Sequence, residues 1–390
     1  MLHDIYYRFP KNFPLPMVLD GSTGTSLMRE GMPAGSCTER WVLENPDKLQ
    51  KIQSEYISAG SDALYTPTFG ANRPTLERSG LDFDGINERL AALTVGRGVL
   101  AGGDMSPTGL FIEPFGDTPF DEVVGIYREQ AEALERAGVD FFISETNISL
   151  QEVRAAVIGI REVSEKPVFV TMTVDDSGRT LSGDDPICCL LSLAELGISA
   201  FGINCSQGPD GMMEFLKQLA PYSKSLGIPL IAKPNAGLPH EDCDGCQHFD
   251  LSAEDFAKYI PELMKAGVTI LGGCCGTDAK FIAAIRECVD RMSGSLDYSG
   301  IAPADTSRLP CTNRAFVEVS DTPTPISVTE CFFDDVCMEE HLVCAELDDE
   351  TAADIFIETA PMLSVPCALT GDPAAVAKAK RYYNGKLLIL

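Results

Sequence analysis

Three times in this chain a helical stretch ends on a small or apolar residue and a glycine, and a β-branched residue then opens an apolar run. The junctions are Ala137-Gly138-Val139, Leu196-Gly197-Ile198 and Ala266-Gly267-Val268. Glycine stops a helix by taking the left-handed conformation at its C-terminal end, and a short apolar run behind it reads as a buried strand. Repetition of that junction commits the chain to alternating helices and strands, and so to a parallel sheet covered by helices. Eight candidate strands follow one another, at 17–20, 62–66, 99–104, 140–145, 167–173, 199–205, 228–235 and 268–273. Helical spacing fills most of the gaps. Asn45-Pro46 opens one helix as cap and first-turn proline, with Leu49, Ile52, Tyr56 and Ile57 along one side and a stop at Ala59-Gly60. The same grammar predicts helices over 120–138, 150–163 and 253–267.

Eight strands alternating with helices predict an α/β fold, a (β/α)8 TIM barrel. An open doubly wound sheet is the alternative, and it is weakened because no G-x-G-x-x-G follows the first strand. Barrels of this kind carry their chemistry at the C-terminal ends of the strands. Asp20, Glu145, Cys205, Asn235, and Cys274 with Cys275 fall at such ends, although they are scattered along the chain. Residues 1–295 read as the barrel, 296–313 as a linker, and 314–390 as a small C-terminal α/β appendage. The appendage contains β-like runs, an acidic stretch over 331–350 and a helix over 372–383 whose end is basic (Lys378, Lys380, Arg381). A segment of that size is small for a core of its own, so it is expected to dock on the barrel or on a partner.

The net charge of −28, from 30 basic and 58 acidic residues, argues against nucleic acid or an anionic membrane as a partner. The aromatic N-terminus lacks a basic region followed by an apolar run, so no signal peptide is expected. No apolar window is long enough to span a membrane. The reading is a cytoplasmic enzyme, in which fourteen cysteines point to metal or burial rather than to disulfides.

Cys205 with Cys274 and Cys275 offers three sulfurs, enough for a tetrahedral zinc site with one position left for substrate. Gly272, Gly273 and Gly276 loosen the backbone around the adjacent pair. A vicinal disulfide is the competing use of adjacent cysteines, and it is strained. Binding to zinc removes the proton from a thiol. Three protein thiolates then leave electron density on a fourth sulfur, which favours alkyl transfer to sulfur over hydrolysis. Cys243-x-x-Cys246-x-His248 lacks a matching second pair and is not read as a metal site. Cys188 and Cys189 sit in a Leu-rich helix and read as core; His240 and His341 have no triad partners.

The segments LDGSTGT (19–25), TPTFGAN (66–72), GINCS (202–206), KPNAG (233–237) and GGCCGT (272–277) together resemble the homocysteine S-methyltransferase family, most closely the homocysteine-binding half of cobalamin-dependent methionine synthase. The resemblance implies a barrel with zinc on Cys205, Cys274 and Cys275, which carry the catalysis. It implies methyl transfer to homocysteine, giving methionine, with the donor a methyl-corrinoid protein or an S-methylmethionine-type compound. Asp20 and Gly21, with Ser22, Thr23, Gly24 and Thr25, and Glu145 match the residues that bind the amino-acid part of the substrate; Asn204 and Asn235 stand beside them in the motifs. Two departures are visible. Thr146-Asn147-Ile148-Ser149 follows Glu145 where the methionine synthase pattern commonly has Thr-Phe, and Lys233 puts a charge at the rim, most simply to pair with an acid. The appendage resembles a fragment of a folate-binding barrel. No Asp-x-His-x-x-Gly is present, so any corrinoid is expected on a separate folate or cobalamin subunit. Two other readings stay open: a non-catalytic or regulatory zinc barrel that binds homocysteine or a corrinoid partner, and a methyltransferase for another thiol or a selenol.

Overall fold

The computed structural model describes residues 2–205, 207–241, 247–336 and 341–390. Eight parallel strands form the main sheet: β1 (Met17–Val18), β2 (Ala63–Tyr65), β3 (Leu100–Met105), β4 (Phe141–Asn147), β5 (Val168–Met172), β6 (Ala200–Cys205), β7 (Leu230–Pro234) and β8 (Val268–Leu271). Each overlaps a run expected from the sequence. Neighbours follow chain order from β2 to β8, and β8 pairs with β1. The seam between β1 and β2 is drawn together by Asp62: its amide donates to the Val18 carbonyl and its carboxylate accepts from the Val18 amide, both at 2.7 Å. The result is a (β/α)8 barrel. At the three diagnostic junctions Gly138, Gly197 and Gly267 have φ of 83°, 78° and 104°, the left-handed conformation in which the helix stops.

The helices lie where expected at Pro46–Ser58, Phe120–Ala137 and Leu150–Arg161. The single helix expected over 253–267 is instead two, Ala253–Ala257 and Ile260–Lys265. Pro261 explains the break, because it has no N–H to give to the carbonyl four residues back. Cys188 and Cys189 are fully buried in the helix Pro186–Ala194. Inside the barrel, Gly202 on β6 has no room for a side chain; a Cβ there would lie 1.9 Å from the Ile231 carbonyl oxygen.

The N-terminal segment has a role that the sequence did not disclose. Tyr6, Phe9 and Phe13 pack into the lower end of the barrel against Phe141 and Phe169, with Phe9 5.6 Å from Phe169 between ring centroids. The Tyr6 hydroxyl donates to the carbonyl of Gly267, just ahead of β8, so these rings stop the N-terminal mouth. No helix among the described residues is long and apolar enough to cross a membrane.

The appendage forms a second parallel sheet in chain order, β9 (Ile326–Ser327), β10 (Val343–Leu347), β11 (Cys367–Gly371) and β12 (Leu388–Ile389). Contrary to the expectation from its size, it has its own core around Phe332, Phe356, Leu347 and Leu369. It also docks on the barrel. Arg154, only 3% exposed, donates to the carbonyls of Lys380 (3.0 Å) and Arg381 (3.2 Å) at the end of the helix Pro373–Tyr382, and to Gly385 (3.4 Å). Burial pulls the Arg154 guanidinium down to about 10, yet it stays charged at neutral pH and answers the negative helix end. Replacing Arg154 by Ala takes this donor from the Lys380 and Arg381 carbonyls, while Gly385 keeps the Ser192 hydroxyl, and is expected to lower stability by about 2–4 kcal/mol. Limited proteolysis of the variant should cut the appendage before the barrel; equal cleavage of both proteins would remove Arg154 from this role.

Candidate metal centre

The C-terminal ends of the barrel strands open into a cavity of about 780 Å³. Cys205 closes β6 with φ of 60°, and Thr146 on β4 has φ of 61°. Side-chain-bearing residues rarely hold the left-handed conformation, and such strain gathers at functional sites. Asn204 secures the turn at Thr146. Its Oδ1 accepts from the Thr146 amide (3.0 Å), and its Nδ2 donates to the Thr146 hydroxyl (2.8 Å) and reaches Glu145 Oε2 (3.4 Å) and Cys274 Sγ (3.9 Å).

Beyond β8, the two adjacent cysteines are pinned by their backbone. The Cys274 amide donates to the Pro234 carbonyl (2.8 Å), and the Cys275 carbonyl accepts from the Ala236 amide (2.9 Å). The Thr277 hydroxyl donates to the Cys274 carbonyl (2.7 Å) and accepts from the Ser22 amide (3.2 Å), which ties this turn to the loop after β1. The sulfurs of Cys205, Cys274 and Cys275 all lie within 4.8 Å of one another, and Cys205 and Cys275 are 4.0 Å apart. Contact with Cys205 is the main reason the Cys275 thiol is pushed up to about 12; contact with Cys205 and Cys275, with burial, holds Cys274 well above the usual thiol range. Three thiolates this close repel one another, and a cation among them reverses that preference.

Beside the sulfurs lies a buried charged cluster, since the Asn204 Nδ2 that reaches Cys274 also reaches Glu145. The Lys233 ammonium is 3.0 Å from Asp20 Oδ1, 4.0 Å from Glu145 Oε2 and 3.7 Å from the centre of the Tyr65 ring. Burial alone would pull Lys233 down, but Asp20, Tyr65 and Glu145 outweigh it and hold the ammonium well above the usual lysine range. The other Asp20 oxygen accepts from the Tyr65 amide at 2.7 Å. Glu145 is pushed up to about 7 by burial, against the pull of Lys233. Asp104, at the end of β3, is raised well above the carboxylate range by burial and by Glu145.

A comparison of sequences decides the family. The family model described as homocysteine S-methyltransferase matches residues 17–289, most of the chain. The chain belongs to the homocysteine S-methyltransferase family. Among its relatives are the methionine synthases of Mycobacterium tuberculosis, 28% identical over 371 residues, and Mycobacterium leprae, 28% identical over 369 residues. These matches cover 87% and 85% of this chain and 30% of each relative, so the chain spans about 30% of the length of those proteins. Among solved structures, the metallated form of the homocysteine methyltransferase MmuM from Escherichia coli has the same fold, with a TM-score of 0.59 at 22% identity over 70% of this chain and 95% of that one.

Within this member of the homocysteine S-methyltransferase family, Asp20, Gly21, Ser22, Thr23, Gly24, Thr25, Glu145 and all three cysteines line the cavity. Asn204 and Asn235 are buried and are not among the lining residues. The Asn204 side chain bonds to Thr146 and reaches Glu145 and Cys274. Cys243 and Cys246 lie outside the described residues. Asp104, Tyr65 and Lys233 also line the cavity. The sequence reading left Asp104 and Tyr65 out of the site and took Lys233 for a simple ion pair; the pair exists, inside the site. The one available signal was position, since each lies at or near the C-terminal end of a strand.

Proposed function

We propose that this protein transfers a methyl group to the thiol of homocysteine, giving methionine, with a zinc ion held by Cys205, Cys274 and Cys275. The observation that carries the reading is the convergence of three thiols in one cavity that buried carboxylates also line. The donor set fits the ion. Tetrahedral zinc with Zn–S bonds of about 2.3 Å places its sulfurs about 3.8 Å apart, against 4.0 Å between Cys205 and Cys275. Zinc held by these three cysteines would acidify a substrate thiol, so that its proton is released to solvent and its sulfur stays nucleophilic at neutral pH.

The protein's own groups orient the acceptor. Glu145 faces the substrate ammonium, which would favour its ionised form over the proton that burial now favours. The amides of Ser22 and Thr25 already donate, to Thr277 and to the Ser22 side chain. That leaves the amides of Thr23 and Gly24 to cradle the substrate carboxylate, with Asp20 and Gly21 shaping the loop. Asn204 holds Glu145 and Cys274 in register. We take the methyl donor to be a methyl-corrinoid protein or an S-methylmethionine-type compound, with any corrinoid on a separate partner. The appendage, with parallel strands in chain order joined by helical crossovers, supports its reading as a remnant of a second (β/α) barrel.

The protein is expected to retain one zinc per chain and to form methionine from homocysteine when offered methylcobalamin or S-methylmethionine in parallel assays. Failure to retain zinc overturns the metal centre. One zinc with no binding of homocysteine overturns the acceptor.

A further inference from the structure

The stretch that leads from the barrel to the appendage is seated on the loops at the C-terminal ends of the strands. Residues 312–315 form a tight turn: the Thr312 amide donates to the Ala315 carbonyl (2.9 Å), and the Thr312 hydroxyl accepts from the amides of Arg314 and Ala315, both at 3.1 Å. On one side the turn is tied to the appendage, since Cys311 and Lys386 exchange backbone hydrogen bonds at 2.8 and 2.9 Å. On the other it lies on the loop that follows β5. The Asn313 carbonyl accepts from the Asp185 amide (2.8 Å), and Arg314 donates to the Ser182 carbonyl (3.3 Å). Between them sits Asp184, only 1% exposed. Its Oδ1 accepts from the Asn313 side-chain amide (2.5 Å), and its Oδ2 accepts from the Leu150 amide (2.6 Å) and the Thr180 hydroxyl (3.1 Å). Leu150 opens the helix Leu150–Arg161, so this carboxylate also meets the positive end of a helix. The same loop grips the chain just before that helix, where the Ser182 amide donates to the Ile148 carbonyl (3.1 Å). Only residues 146–149 separate Leu150 from Glu145. Asp184 thus holds the linker on one oxygen and the turn behind Glu145 on the other.

We propose that Asn313, acting through Asp184, is a positioning residue for the acceptor: it fixes the turn that follows Glu145, and so makes the strap to the appendage part of the acceptor site. The inference rests on the reading of Glu145 as a group that faces homocysteine. Position 184 needs a carboxylate because donors from two sides meet its two oxygens; an amide has one oxygen and turns its N–H groups on Asn313 or on Leu150. A displacement of about 1 Å in a binding group corresponds to a loss of up to about 100-fold. Calorimetric titration of the zinc-loaded protein with homocysteine separates position from folding, because the stoichiometry counts folded sites and the affinity reports their geometry. Asp184→Asn and Asn313→Asp, each alone, are expected to weaken homocysteine by about 10- to 100-fold, with the stoichiometry and the zinc content of wild type. Combining them exchanges donor and acceptor and leaves an oxygen for Leu150, so the double variant should return to within about threefold of wild type. Single variants that bind as tightly as wild type overturn the proposal. So does a fall in stoichiometry at unchanged affinity, which is what loss of folded protein alone produces, and so does a double variant as weak as the singles. Absence of homocysteine binding to wild type overturns the acceptor reading, and this inference with it.

Discussion

Replacing Cys274 by Ser is expected to reduce zinc from one per chain to a trace and methyl transfer to homocysteine by more than about 100-fold, since even outer partners of metal ligands contribute 10- to 100-fold. A hydroxyl is a weak, protonated ligand beside two thiolates. Cys274 also cannot be replaced by a neighbour, because its backbone is fixed between Pro234 and Thr277 and Cys275 is already committed from the next position. The comparison is Cys331→Ser, an exposed cysteine of the appendage, which should keep both zinc and rate. Metal analysis after dialysis, with the rate measured on the same samples, decides it. A Cys274→Ser protein with full zinc and full rate would sink the three-sulfur centre.

The second large effect falls on stability. Lys233→Met keeps the length of the side chain and removes its charge from a site where Lys233 and Asp20 are each 3% exposed. Removing one partner of a buried pair leaves the other uncompensated, a loss of about 3–5 kcal/mol. Here Asp20 would be stranded beside Glu145 and Asp104. Native proteins hold roughly 5–15 kcal/mol in all, so the variant should unfold at a much lower urea concentration. Adding Asp20→Asn to Lys233→Met should recover part of the loss, because the stranded charge goes with it. A single variant within about 1 kcal/mol of wild type would mean that water reaches the pair.

The fold was readable because its punctuation is local. Gly138, Gly197 and Gly267 each end a helix, and the residue that follows starts toward the sheet, so strand order followed from counting. The cysteines were readable for a different reason: adjacent thiols among glycines at a strand end have few uses. Pro261 is the local signal for the break within 253–267, and the apolar spacing that runs through it masks that signal. What no local pattern carries is burial of charge. Asp104 and Lys233 look like ordinary rim residues until strands from opposite parts of the chain bring Asp20, Glu145 and Tyr65 around them. The same holds for the appendage, whose core joins Phe332 to Phe356 and Leu369 through a stretch whose sequence shows chiefly its acidity.

The aromatic segment at the N-terminus turns the barrel from a tube into a cup. With Tyr6, Phe9 and Phe13 wedged against Phe141 and Phe169, the floor under the cavity is solid ring packing. A thiol that reaches the cysteines and a methyl donor that reaches the thiol must then use the same rim. Whatever lies deeper has to arrive first and depart last.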